Sequence, residues 1–159
     1  MDAGFLGTDA PFYADVILLL ELAMGIGLLV GMALARRQQF RAHAVCQSSI
    51  VLLNLAVIAF TMIPSFRSHV SPKIPLRLGK PFYALATGHA ALGSIAEIAG
   101  LYILLSAGTS VLPEKLRPSN YKLWMRSVLL LWWLASLLGV ATYLGWYVHI
   151  SSENEIMDS

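Results

Sequence analysis

The sequence is poor in the residues on which disulfide-linked, nucleic-acid-binding and water-soluble proteins depend. It has one cysteine, Cys46, so no disulfide can form within the chain. Only 13% of the residues are charged, and no basic stripe is typical of a nucleic-acid interface, so we expect no nucleic acid partner. With 57% hydrophobic residues and a mean hydropathy of +0.68, the chain has too little polar surface for a soluble domain.

The sequence also lacks the common catalytic motifs. It contains no phosphate-binding P-loop, dinucleotide fingerprint, HExxH zinc motif or nucleophile elbow. Asp2 and Asp9 stand where a signal peptide would carry positive charge, so we expect the first apolar run to be retained. These features indicate no hydrolytic catalysis, and we expect no independent enzymatic activity.

The chain does have four long apolar runs, at residues 14–35, 42–63, 82–107 and 125–148. About 20 helical residues cross a hydrocarbon core that is about 30 Å thick. Lipid offers the backbone no hydrogen-bond partner, so such runs must be helical. The sequence predicts an all-α integral membrane bundle of four transmembrane helices in a single domain, with a flexible polar tail at residues 151–159. We expect Pro64 to end the second helix.

The distribution of basic residues predicts the orientation of the bundle. Seven lysines and arginines lie in or beside the first and third connections, and four lie on the other side. Because cytoplasmic loops are enriched in lysine and arginine, we expect both termini on the outer side. The sequence thus predicts a multi-pass protein of the bacterial inner (cytoplasmic) membrane.

Polar residues inside the runs fall into two layers when each helical residue is given a rise of about 1.5 Å. The predicted outer layer, about 10 Å below the outer boundary, collects a carboxyl, an amide, an imidazole and a hydroxyl: Glu21, Asn54, His89 and Tyr143. The predicted inner layer collects His43, Gln47 and Glu97. Ionisable groups within lipid are costly and often functional, although structural hydrogen bonds between helices remain an alternative.

Three histidines are candidate cofactor ligands. His89 could be a haem or metal ligand, a proton carrier or a structural residue. It could pair with His149 or His69 from the outer side, or with Glu21 by a hydrogen bond. His43 and His89 are about 15–20 Å apart in depth, so we do not expect them to share one iron. His43 and Cys46 share a helix face, where they could bind copper or haem.

Three segments together resemble a known family. They are RRQQFRAHAVCQSS around His43, PFYALATGHAALG around His89, and the last helix with Trp133, Gly139 and Tyr143. Their order and spacing resemble the four-helix bacterial membrane family catalogued as domain of unknown function 420. The resemblance implies an accessory or assembly protein of cytochrome oxidase and carries the family histidines over to His43 and His89. The family's histidine before the last helix is absent from residues 118–122.

The sequence therefore predicts an accessory or assembly subunit of a bacterial membrane electron-transfer complex, similar to a haem–copper oxidase. Its expected partners are lipids and the other membrane subunits of a respiratory or photosynthetic complex. One alternative is a small b-type cytochrome that binds haem b and passes electrons between quinone and an outer-side partner. Another is a purely structural transmembrane subunit.

Overall fold

The computed structural model describes residues 4–77 and 79–148, and all regular secondary structure in these ranges is helical. Four long helices form the bundle: α1 (Phe12–Arg36), α2 (Phe40–Lys73), α3 (Pro81–Gly108) and α4 (Tyr121–Tyr147). Each is long and apolar enough to cross a membrane. The predicted all-helical membrane bundle is confirmed, and its orientation stays a prediction. We call the end at which α1 begins and α4 ends the upper end, and the other the lower end.

The four helices pack as two hairpins. α3 packs most extensively against α4, and α1 packs against α2, while α1–α4 and α2–α3 contacts join the hairpins. The α1–α2 turn passes through Gln38, whose φ of 60° lies in the left-handed region. Near the middle of the bundle the helices meet in a buried cluster of five large side chains: Met24, Leu28, Ile50, Val51 and Trp132.

Helix α2 continues far beyond its predicted end. The prediction that Pro64 ends this helix is wrong, since the helix runs for 34 residues to Lys73. Two π-helical turns, Ile58–Met62 and Phe66–Val70, flank the proline. Proline lacks a backbone N–H and its ring crowds the carbonyl four residues earlier, and wider π turns relieve both effects. At roughly 50 Å, α2 is longer than the hydrocarbon core and extends past it.

The segment before α1 folds back over the upper end and is held there by Asp15. This side chain is fully buried, and its Oδ2 accepts hydrogen bonds from the backbone N–H groups of Phe5 and Leu6 at 2.7 and 2.9 Å. Its Oδ1 accepts the hydroxyl of Tyr143 at 2.5 Å. Thr8 Oγ1 lies 2.7 Å from the same hydroxyl. Asp15 thus joins the N-terminal segment, the start of α1 and the end of α4.

We expect Tyr143→Phe to release this N-terminal segment, because the change removes the link between Asp15 and α4. The amides of Phe5 and Leu6 should then exchange faster in hydrogen–deuterium exchange of the detergent-solubilised protein. Tyr121→Phe is a matched control, since Tyr121 donates to the Ser106 carbonyl at 3.0 Å at the lower end. Equal protection of the segment in Tyr143→Phe and wild type would contradict the anchoring role of Tyr143.

Candidate functional site

An interhelical cavity of about 390 Å³, the upper cavity, lies in the upper half of the bundle. This volume lies within the range of about 300–1,000 Å³ that is typical of ligand pockets. All four helices line the cavity, and most of the lining side chains are apolar. Its principal polar side chains are Glu21, Asn54, His89, Ser136 and Tyr143. The predicted outer-layer residues therefore border one space.

His89 is oriented by a bond to the neighbouring helix. Its Nδ1 lies 2.8 Å from the carbonyl oxygen of Ala135 on α4. Because a carbonyl only accepts, Nδ1 is the donor, and in the neutral ring the lone pair is on Nε2. Nε2 lies 3.9 Å from Oε1 of Glu21, which is longer than a direct hydrogen bond. The two groups can hold a proton between them or bind the polar part of a ligand.

Gly139 provides the room for this pair. A Cβ at this position would lie 2.8 Å from Glu21 Oε2 and 2.9 Å from His89 Cε1. The His89 ring cannot move away freely, because it is hydrogen-bonded to Ala135, which lies one turn before Gly139 on α4. Gly139, which belongs to the last-helix pattern of the family resemblance, therefore shapes the site.

Asn54 and Glu97 form a second polar contact, deeper in the bundle. Asn54 Nδ2 donates to Glu97 Oε2 at 2.9 Å, and both side chains are buried. This contact joins residues that the sequence places in different layers. Asn54 also lines the upper cavity, so it connects the two predicted layers.

Ser136 presents a free hydroxyl to the upper cavity. The residue is 4% exposed, and its Oγ has no hydrogen-bond partner among the described residues. Helical serines commonly bond to a carbonyl of the preceding turn. A buried hydroxyl without such a bond is available to a ligand in the cavity.

A second cavity, the lower cavity, has a volume of about 640 Å³ and is also lined by all four helices. Trp132, in the central cluster, lines both cavities and lies between them. The lower cavity contains His43 and Gln47, and basic residues line it near the lower ends of the helices: Arg36, Lys122 and Arg126.

The lower polar residues of α2 bond to the backbone of α1. His43 Nδ1 lies 2.8 Å from the Gly31 carbonyl oxygen, Cys46 Sγ donates to Gly27 at 3.4 Å, and Gln47 donates to Leu28 at 3.3 Å. His43 and Cys46 therefore contact separate carbonyls. Within residues 4–77 and 79–148, no group of three or more histidine, cysteine or acidic side chains could hold a metal ion. The use of His43 and Cys46 as a metal pair stays a prediction.

The two candidate histidines line different cavities. His89 lines the upper cavity and His43 lines the lower one, as their predicted depths imply. His149, the third candidate, lies outside the described residues, as does the predicted tail at residues 151–159. Asp15 was missed as a site residue, because its sequence position at the start of a run resembles an ordinary interfacial charge.

No protein-family model, curated protein or solved structure matches this chain.

We expect Gly139→Ala to displace the Glu21–His89 pair, because the new methyl group would overlap both side chains. Such overpacking costs about 1–3 kcal/mol. The ¹⁵N imidazole shifts of His89, assigned with His89→Gln, should change, as should the melting temperature. Gly145→Ala on the same helix is the control, since its Cβ would meet nothing within 4 Å. Unchanged His89 shifts in Gly139→Ala would refute the role given to this glycine.

Proposed function

We propose that the protein is an accessory or assembly subunit of a bacterial membrane electron-transfer complex, similar to a haem–copper oxidase, in the inner membrane. The observation that supports this function best is the matched setting of His43 and His89, the two residues that carry the family resemblance. Each ring bonds through Nδ1 to a backbone carbonyl of a neighbouring helix at 2.8 Å. Each also lines an interhelical cavity.

This setting leaves one nitrogen of each ring for other contacts. Histidines that bind metals or cofactors typically donate their other ring N–H to a carbonyl or carboxylate, which fixes the ring orientation. Here each cavity contains only one such histidine among the described residues. A single oriented imidazole beside a mostly apolar cavity suits a protein that holds a hydrophobic ligand for a partner, or receives a side chain from it.

The second candidate function is a b-type cytochrome with haem on His89. The described residues of the upper cavity do not fit this ligand as they stand. Iron bound to Nε2 would displace the Glu21 carboxylate, whose Oε1 lies 3.9 Å from that nitrogen. Moreover, no second described histidine lines this cavity. The b-type cytochrome is therefore a weaker candidate function than the accessory subunit.

The third candidate, a purely structural subunit, would have no use for two lined cavities. A helix bundle that only fills space in a larger complex is expected to pack its interior closely. The buried hydroxyl of Ser136 without a partner is also costly unless something binds it. Both features favour a protein that binds a ligand or a partner group.

Co-purification tests the accessory function. The tagged protein, extracted from native membranes in a mild detergent, should bring down subunits of one terminal oxidase or related complex, identified by mass spectrometry. His43→Gln and His89→Gln should weaken that association by at least several-fold, whereas His69→Gln should not, because His69 is exposed at the upper end of α2. Recovery of the protein without any redox subunit would contradict the proposal.

An absorption spectrum tests the cytochrome. The accessory function predicts a purified protein without a Soret band. If a Soret band is present and disappears in His89→Ala, the cytochrome replaces our proposal. Because His43 and His89 line different cavities, His43→Ala and His89→Ala should not act as two ligands of one iron. Identical loss of a low-spin spectrum in both variants would refute that separation.

A further inference from the structure

Three cations of the lower cavity have no partner among the described residues. Arg36 ends α1, and Lys122 and Arg126 lie in the first two turns of α4. All three line the lower cavity. None of them forms an ion pair or a side-chain hydrogen bond with another described residue, and no described acidic residue lines this cavity. The cavity therefore has three positive charges that its own walls do not neutralise.

Apart from His43, Gln47 and Ser48, the remaining walls of the lower cavity are apolar. Beyond the cations they consist chiefly of aliphatic and small side chains from all four helices, among them Met32, Val51, Leu104, Val128 and Leu129. In a bilayer, lipid acyl chains surround the helices, so an acyl chain can fill an apolar cavity that extends to the helix ends. The ligand that matches this cavity therefore has an anionic head and an apolar tail.

We propose that the lower cavity binds one anionic phospholipid. Its phosphate lies among Arg36, Lys122 and Arg126, and an acyl chain lies along the apolar wall. Arginine and lysine bind phosphate through charge-assisted hydrogen bonds. Basic pockets between transmembrane helices are known lipid-headgroup sites as a class. This inference goes beyond the proposed function: it concerns the cations and the apolar walls of the lower cavity, which His43 also lines, and it requires no protein partner.

A free phosphate ion would use the same cations but not the apolar walls. A lipid headgroup and a free phosphate ion can be distinguished by competition for the site. A lipid site retains phosphatidylglycerol in the presence of excess inorganic phosphate, whereas an ion site exchanges one for the other.

The test uses the full-length protein in nanodiscs that contain phosphatidylglycerol and phosphatidylcholine, followed by native mass spectrometry after transfer to detergent. We expect one phosphatidylglycerol to be retained per chain, in preference to phosphatidylcholine and in the presence of millimolar phosphate. Arg36→Gln with Arg126→Gln should lower that retention on the order of tenfold. Arg37→Gln with Arg41→Gln removes the same charge from residues that do not line the cavity, and should leave retention unchanged.

A variant that fills the cavity tests the role of the cavity separately from the role of its positive charges. Ala44 lines the lower cavity and Ala42 does not. Ala44→Phe should reduce lipid retention with all the cations in place, whereas Ala42→Phe should not. The proposal is overturned if both arginine pairs have equal effects, which indicates only a surface potential, or if inorganic phosphate displaces the lipid. It is also overturned if the purified protein shows a Soret band that is lost in His43→Ala, since haem then fills the cavity.

Discussion

The structure depends on one constraint: a polar side chain inside a membrane span must find its partner within the protein, because lipid supplies none. The serines and threonines can use a carbonyl of their own helix, but the longer polar side chains here use another helix. His43 bonds to the backbone of α1, and His89 bonds to that of α4. Asn54 of α2 bonds to Glu97 of α3. Each contact fixes how far one helix is shifted along its neighbour. Together they hold four apolar helices, which lipid alone would not align, in a defined register.

That register produces two cavities of different chemistry on either side of a packed middle. Trp132 and its neighbours fill the centre, and the helices leave space above and below them. The upper cavity has a carboxyl, an imidazole and hydroxyls in its interior, and Arg67 on its α2 wall. The lower cavity has an apolar wall and, towards the lower end, cations that no described residue pairs. The same four helices thus enclose two separate spaces, one towards each end of the bundle.

Some of these features could be predicted from the sequence and others could not. Run lengths predict the four spans, and a constant rise per residue places His43 and His89 at different depths. The same counting did not predict the contact between Asn54 and Glu97, because it assigned them to different layers. The length of α2 was also missed, since no local pattern indicates the π-helical turns that let this helix pass Pro64. Asp15 could not be recognised, because its partners are backbone amides of a preceding loop and a tyrosine 128 residues away.

That separation of 128 residues between Asp15 and Tyr143 has a consequence for biogenesis. A ribosome that adds about 5–20 residues per second needs roughly 6–25 s to make the intervening chain. During this time α1 is already synthesised, while its buried carboxyl lacks the tyrosine that will partner it. The upper end of the bundle can therefore be completed only after the last helix has entered the membrane, and a chain truncated before α4 would leave the N-terminal segment without its anchor.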